Sequence, residues 1–196
     1  MCGEIRKIFK INKNMFNEEK VEEAIKMLLE GFGEDLNREG LKETPKRVAK
    51  YWKQVLGGYD EDPNQHLKIF NEDAKDMVVV EAPIYSFCEH HLALFHGKIC
   101  IAYIPNGKVI GISKLVRIAR VYAKRLQIQE RLVKQVADFL EENLSPLGVA
   151  VYIKAEHTCM SIRGVRTPGS KTTTTTLRGL FKEDVATRQE FMNYIK

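Results

Sequence analysis

Four residues that can each take part in chemistry stand side by side at positions 88 to 91, where the sequence reads Cys-Glu-His-His. They follow an apolar, β-branched run that is typical of a strand, so they fall in the turn at its end. Cys88 and His91 have the spacing at which one tight turn can direct a thiolate and an imidazole to the same cation. On its own, this pair has an ordinary alternative, in which a packed cysteine simply lies near a surface histidine.

A second pair, His157 and Cys159, closes the segment GVAVYIKAEHTC. Alternation along this predicted strand puts both side chains on the face that carries its apolar residues. We therefore expect the strand to bring a third ligand to the turn at Cys88 and His91. Two thiolates and one imidazole form a Cys₂His set, which in catalytic zinc sites leaves the fourth position to water, whereas a structural site normally has four protein ligands.

With Cys88, His91 and Cys159 as ligands, His90 and His157 are left as neighbouring free imidazoles. Histidine exchanges protons near neutral pH, and zinc lowers the pKa of a bound water from about 15.7 to roughly 7. Together these groups predict metal-assisted hydrolysis. The alternative is that either imidazole only orients a ligand or lies at the surface.

Several cations accompany the predicted metal site and outline a site for an anion. Ser113 is the predicted N-cap of a helix whose first turns carry Lys114 and Arg117, so two cations and the positive end of the helix dipole point the same way. Arg163 follows Cys159 closely and can add a third cation. Each of these residues taken singly also fits a solvated surface, where charged side chains usually lie.

Glu130 lies near the start of another predicted helix and has two interpretations. An acidic residue in a first turn is favoured by the helix dipole and needs no further role. Its two oxygens can also accept from a ring N–H and an adjacent amino group, a pair of donors that guanine offers and adenine lacks.

The elements that must position these residues follow from hydrophobic periodicity. Two amphipathic helices come first, one over residues 17–31 and one with Pro45 in its first turn. From residue 77, two strands, two amphipathic helices and two more strands follow. This ββααββ order predicts an antiparallel α+β sheet with two inserted helices. The five threonines at 172–176 are interpreted as the last strand, because β-branched residues favour strands.

Composition bounds the class of protein. The chain has 196 residues, 44% of them hydrophobic, and a formal charge of +5, which suits an anionic small molecule as well as a nucleic acid. Neither a signal sequence nor a run of about 18 apolar residues is found, which predicts a cytoplasmic protein without a membrane partner. The cysteines are therefore expected to be thiols or metal ligands, and mid-strand Cys100 a buried, inert thiol.

These residues and motifs resemble those of one family, GTP cyclohydrolase I. The resemblance covers nearly all of residues 40–182, and the first 39 residues match only as a helix of the expected kind. The segments that carry it are ETPKRVAKYW, SFCEHHLALFHGKICIAYIP, VIGISKLVRIARVYAKRLQIQERL, AEHTCMSIRGVR and TTTTTLRGLF.

The resemblance implies a fold and an assembly. The expected architecture is the tunnelling fold (T-fold), an α+β fold whose antiparallel ββααββ sheet forms residues 76–196 and follows a helical N-terminal region, residues 1–75. Subunits of this family assemble into rings, and two stacked rings form a homodecamer with sites at subunit interfaces. Neither nucleic acid nor membrane is an expected partner.

The resemblance also implies a role for each site residue. Zinc is held by Cys88, His91 and Cys159, and His90 and His157 transfer protons. The residues expected to contact the substrate are Arg47, Ser113, Lys114, Arg117 and Arg163 for the triphosphate region, and Gln129 and Glu130 for guanine.

The implied reaction converts GTP to 7,8-dihydroneopterin triphosphate with release of formate, the first step of pterin biosynthesis towards folate or tetrahydrobiopterin. Zinc-activated water attacks C8 of the guanine ring while His157 or His90 protonates N7. After ring opening, a second hydrolysis releases formate, and the opened ribose rearranges and closes onto the pyrimidine amines. No redox cofactor is needed, in keeping with the lack of a G-x-G-x-x-G motif after a strand.

Two other functions compete with this interpretation. A nitrile reductase of the same fold uses a cysteine nucleophile and a nicotinamide cofactor, and has no need of a complete Cys₂His set. A zinc-stabilised binding protein, for nucleic acid given the +5 charge, predicts a fourth protein ligand and a basic stripe. The sequence shows neither of these clearly.

Overall fold

The structure is a computed structural model that describes residues 16 to 195. It divides into two compact units, the first ending at Glu61 and the second beginning at Asp62. In the described part of the chain, no helix is both long and apolar enough to span a membrane.

In the described part of the first unit, the α-helices are α1 (Glu18–Gly31) and α2 (Thr44–Val55). The side chain of Asn17 accepts a hydrogen bond from the backbone N–H of Lys20 and so caps α1. Pro45 stands at the start of α2, where its missing N–H leaves no intrahelical bond unmade. Both predicted helices are confirmed.

The second unit is built on a five-stranded sheet with the order β5-β2-β3-β6-β7. Its elements, in chain order with those of a small second sheet (β1 and β4), are β1 (Ile69–Asn71), β2 (Val78–Cys88), β3 (Ala93–Ile104), β4 (Lys108–Ile110), α3 (Ile112–Ala123), β5 (Leu126–Gln127), α4 (Gln129–Leu144), β6 (Gly148–His157), α5 (Thr158–Ser161), β7 (Thr172–Gly179), α6 (Leu180–Glu183) and α7 (Val185–Tyr194). The four long strands pair antiparallel, and β5 adds a short parallel pairing to β2. The predicted ββααββ order and α+β class are confirmed.

Strand β3 lies at the centre of the sheet and is buried on both faces over its second half. Its side chains alternate between two apolar clusters, with Ile99, Ile101 and Tyr103 in one and Cys100, Ala102 and Ile104 in the other. The first cluster includes the buried faces of α3 and α4, and the second includes Phe181 and Phe191 of α6 and α7. The prediction that Cys100 is a core thiol is confirmed, and burial raises its pKa to about 11.

Gly97 allows β3 and β6 to approach closely. It lies opposite Ala155 in the register, and a Cβ at this position would come within 2.0 Å of the carbonyl oxygen of Lys154. Only glycine fits there without a shift of backbone. The close contact lies two residues before His157 and therefore supports the end of β6 where the predicted site begins.

Two local predictions are wrong. Ser113 is not an N-cap, because α3 begins at Ile112 and its N-cap is Gly111. Strand β6 ends at His157, so Cys159 lies in the short helix α5 and does not share a strand face with His157. The sequence analysis did not predict the small sheet of β1 and β4, the two-residue strand β5 or the C-terminal helices.

Candidate active site

The turn after β2 is the first half of the site. The last residues of β2 and the first of β3 pair as Cys88 with Ala93, and the backbone N–H of Leu92 donates to the carbonyl oxygen of Cys88 at 2.9 Å. Leu92 has a positive φ of 52°, which reverses the chain within this short turn. Cys88 is buried at the strand end, whereas His90 and His91 are exposed in the turn.

The second half of the site comes from the end of β6 and the helix α5. His157 pairs with Phe95 in the β3–β6 register, next to the β2–β3 turn. The hydroxyl of Thr158 donates to the carbonyl oxygen of Leu94 at 2.7 Å, which ties the start of α5 to β3. Because β3 pairs with both β2 and β6, it places Cys159 beside Cys88.

The three predicted metal ligands converge. One donor atom from each of Cys88, His91 and Cys159 lies within 4.8 Å of the other two, and the Cys88 Sγ to His91 Nδ1 distance is 3.9 Å. Zinc bonds of about 2.3 Å to sulfur and about 2.0 Å to nitrogen place tetrahedral ligands about 3.6 Å apart. Small side-chain adjustments therefore suffice for these three residues to hold a metal ion.

The electrostatics of the two thiols favour a bound cation. Burial, and then the neighbouring Cys88, raise the pKa of the Cys159 thiol. A metal cation bound beside Cys159 would offset this effect, because a thiol gives up its proton when it binds a metal. The donor set of two sulfurs and one imidazole fits zinc better than it fits magnesium or calcium, which prefer oxygen ligands.

Glu89, which the sequence analysis left without a role, forms a two-bonded ion pair. Arg131 of α4 donates to both carboxylate oxygens of Glu89, at 2.6 and 2.9 Å. This contact lowers the pKa of Glu89, chiefly through the hydrogen bond from Arg131. The backbone N–H of Glu89 also donates to the carbonyl oxygen of Gln127 at 3.0 Å, so α4 and β5 hold the turn from one side. No spacing pattern pointed to Arg131, because it lies 42 residues from Glu89.

His90 and His157 both lie beside the ligand cluster but differ in environment. His90 Nδ1 is 3.8 Å from Cys88 Sγ, and its side chain is 65% exposed. The ring of His157 stacks on Phe95 with centroids 4.6 Å apart and planes 12° from parallel. Burial lowers the pKa of His157, and the charge of Glu130 acts in the opposite direction. His157 is therefore held neutral more readily than an exposed histidine.

Gln129 is the first residue of α4, and its side chain points into the protein. It is 2% exposed, and its Oε1 lies 2.9 Å from His157 Nε2. Its Nε2 lies within hydrogen-bond distance of three oxygens of β6 and β7: the Ile153 carbonyl at 3.2 Å, the Thr172 carbonyl at 3.0 Å and the Thr174 hydroxyl at 3.0 Å. Sequence reasoning missed this contact with His157, and the side-chain amide it expected to read guanine is already engaged within the protein.

The remaining predicted residues are placed as follows. Ser113 and Arg117 are exposed and Lys114 is half-buried in the first turns of α3, Glu130 is exposed in the first turn of α4, and Arg163 is exposed just after α5. Arg47 is exposed on α2 and belongs to the first unit. Of the predicted site residues, the structure thus brings together the three metal ligands and the two imidazoles.

Comparison with known proteins identifies similar chains. A family model described as GTP cyclohydrolase I matches residues 21–196. The GTP cyclohydrolase 1 of Pelotomaculum thermopropionicum is 52% identical, over 93% of this chain and 98% of that protein. That of Carboxydothermus hydrogenoformans is 53% identical over 92% and 96%, and that of Bacillus subtilis is 50% identical over 92% and 96%. Among solved structures, the apo form of archaeosine synthase QueF-Like is a weaker match, with 17% identity, a TM-score of 0.42, and coverage of 53% of this chain and 93% of that chain.

The matched region spans both halves of the site, from α2 through the turn at Cys88 to α5 and β7. The identity extends over nearly the whole length of this chain and of its relatives, so it does not arise from one shared motif. This chain belongs to the GTP cyclohydrolase I family.

Proposed function

We propose that the protein is a zinc-dependent GTP cyclohydrolase I, which converts GTP to 7,8-dihydroneopterin triphosphate and formate at the start of pterin biosynthesis. Membership of the family supports the reaction. The single structural observation that carries the proposal is the convergence of Cys88, His91 and Cys159, whose donor atoms lie within 4.8 Å of one another.

These three residues would hold one zinc ion and leave a coordination position open. A zinc ion bound there supplies a Lewis acid that makes a water molecule acidic enough to act as a nucleophile near neutral pH. The group found in residues 16–195 has three members, as a catalytic site requires, whereas a structural zinc site normally has four.

His157 and His90 are the proposed proton-transfer groups for hydrolysis at C8 of guanine. His157 is held by Phe95 and Gln129 and lies beside the ligand cluster, so in its protonated form it is the better-positioned donor for guanine N7. The more exposed His90 can exchange protons with solvent during the later ring opening and rearrangement.

Guanine recognition is assigned to the start of α4. The exposed carboxylate of Glu130 can accept from the ring N–H and the amino group of guanine together. The N–H groups in the first turn of a helix have no intrahelical partner, so Gln129 can contribute through its main chain while its side chain stays in the protein.

The triphosphate is assigned to a set of basic and hydroxyl side chains. Lys114 and Arg117 follow the N-terminus of α3, where the helix dipole also favours an anion. The full proposed set is Arg47, Ser113, Lys114, Arg117 and Arg163. In a homodecamer with sites at subunit interfaces, different subunits would contribute members of this set, and we propose that assembly for this chain.

Incubation with GTP tests the proposal. Zinc-loaded protein should release formate and produce pterin fluorescence, and a chelator should abolish both. Zinc-loaded protein that leaves GTP unchanged would contradict the proposed function. Production of a reduced amine from a deazaguanine nitrile with a nicotinamide cofactor would favour the reductase instead.

Two substitutions test the division of roles within the site. Cys159→Ala should lose both zinc and turnover, because it removes a ligand. His157→Ala should keep zinc and lose most of its turnover, because it removes a proton-transfer group. Metal analysis of the purified variants checks this, and loss of zinc from His157→Ala would reverse the assignment.

A further inference from the structure

We propose that Gln129 is a positioning residue for His157, which it holds as the tautomer with hydrogen on Nε2, so that Nδ1 is the ring atom that exchanges protons in the reaction. This inference rests on the proposed function only in taking proton transfer as the role of His157. The contacts that carry it lie within the protein and need neither metal nor substrate.

The orientation of the Gln129 amide is determined by its surroundings. Its nitrogen lies 3.2 Å from the Ile153 carbonyl oxygen and 3.0 Å from that of Thr172, and both oxygens can only accept hydrogen bonds. Exchanging the amide nitrogen and oxygen would place an oxygen against these two carbonyls. The nitrogen therefore faces the sheet, and Oε1 faces His157.

The orientation of the amide in turn determines the tautomer of the imidazole. Gln129 Oε1 lies 2.9 Å from His157 Nε2, and an amide oxygen has no hydrogen to donate. His157 Nε2 must therefore carry the hydrogen, and in the neutral ring Nδ1 carries the lone pair. Phe95 stacks on the same ring at 4.6 Å and fixes its plane. The two contacts together hold both the tautomer and the orientation of the ring.

This network also gives the polythreonine strand a part in the site. Thr172 and Thr174 lie on the same face of β7, at the positions that pair with Ala155 and Ile153 of β6. The carbonyl of Thr172 and the hydroxyl of Thr174 both accept from Gln129. A chain of contacts thus runs from β7 through Gln129, which is 2% exposed, to the imidazole.

Replacing Gln129 by methionine tests the inference, because methionine has a similar shape and neither accepts nor donates as an amide does. Gln129→Met should lower kcat by about 10- to 100-fold, the usual effect of removing a group that orients a catalytic side chain. Zinc content and the Kd for GTP should stay unchanged. The matched control is Thr175→Val, on the exposed face of the same strand, which should keep the wild-type kcat. A side chain that reads guanine would instead raise the Kd for GTP with kcat unchanged, and that result would overturn the inference.

A double-mutant cycle separates positioning from a general structural role. If Gln129 acts through the imidazole, Gln129→Met should not lower further the residual turnover that His157→Ala retains, measured at high enzyme concentration. An equal loss in both backgrounds would show that Gln129 acts independently of His157 and would overturn the inference.

Neutron diffraction from the wild-type protein gives a test that depends on no variant and on no turnover. Deuterium on His157 Nε2, directed at Gln129 Oε1, is the expected result. A His157 without deuterium on Nε2 would overturn the inference even if GTP is hydrolysed. A failure of GTP hydrolysis with deuterium on Nε2 would contradict the proposed function alone.

Discussion

At the residue scale, the cysteines of this chain differ in their chemistry according to their position in the sheet. Cys100 lies in the middle of β3 and is 2% exposed, so burial suppresses its ionisation. Cys88 and Cys159 lie at or just after strand ends, beside an imidazole and beside each other. Strand ends leave side chains free to converge, and the three predicted metal ligands lie at or just after such ends.

The ion pair between Arg131 and Glu89 leads to a prediction about zinc affinity. Its two bonds to Glu89 hold the turn that carries Cys88 and His91, and a lysine cannot make the same two-bonded contact. Arg131→Lys should weaken zinc binding by up to about 1 kcal/mol, or roughly fivefold in Kd, because both partners are partly exposed and screened. Competition with a chelator measures this affinity. Lys124→Arg, which keeps an exposed charge, serves as the control, and an unchanged zinc affinity in Arg131→Lys would show that the ion pair does not hold the turn.

At the element scale, the close approach of β3 and β6 determines whether the two halves of the site meet. Gly97→Ala would place a Cβ 2.0 Å from the Lys154 carbonyl oxygen and 2.6 Å from Ala155 Cα, so one backbone must move. Overpacking typically costs about 1–3 kcal/mol, and a contact this short with the backbone should lie at the upper end of that range. We expect a lower midpoint in urea unfolding and reduced zinc content. Gly57→Ala, which meets no atom within 4 Å, should change neither, and a Gly97→Ala protein as stable as the wild type would contradict the prediction.

The N-cap of α7 gives a prediction about pH. Asp184 accepts from the backbone N–H of Thr187 at 2.7 Å, and this bond lowers its pKa below the usual 3.8. Because the folded pKa is lowered, the stabilisation is present above the unfolded value and is lost as pH falls through the folded one. Asp184→Asn keeps a cap without the charge. The difference in Tm between the wild type and this variant should therefore be largest near neutral pH and vanish in acid, and a difference that is constant with pH would contradict this account.

The long elements could be predicted from the sequence because they bury whole faces. The four strands and the helices α3 and α4 contribute apolar residues at regular intervals to the two clusters, and those intervals are visible in the chain. Strands β1, β4 and β5 have two or three residues each, too few to show a period. The placement of Cys159 on β6 failed because the chain turns into α5 directly after His157.

The sequence predicted the metal ligands of the site better than the residues that hold those ligands and His157 in place. Cysteines and histidines are rare enough that their spacing carries information, and the convergence of Cys88, His91 and Cys159 is as expected. Glutamine and arginine are common, so the contacts of Gln129 with His157 and of Arg131 with Glu89 appear only once the sheet brings distant segments together.

At the scale of the whole molecule, the proposed assembly with sites at subunit interfaces can be tested through Arg47. This residue belongs to one compact unit, and the ligand cluster belongs to the other. If one subunit supplies Arg47 to a site whose His157 comes from a neighbour, inactive Arg47→Ala and His157→Ala proteins should complement each other when co-assembled. Random mixing pairs the two intact residues in about one site in four, a probability of one half for each subunit. Turnover should therefore recover to about a quarter of the wild-type value. No recovery in co-assembled oligomers would place both residues in the same subunit.

The central position of β3 also bears on when the predicted metal site is completed during synthesis. Cys88 and His91 leave the ribosome well before Cys159, and only the pairing of β6 with β3 brings the last ligand to them. Pairing between segments so distant in sequence is slow, because a long loop must close before the contacts form. Of the three predicted ligands, a chain that has not yet formed this pairing offers a cation only two, so we expect tight binding to follow formation of the sheet. Under the proposed zinc-dependent function, tight metal binding would therefore indicate a correctly aligned β3–β6 pair.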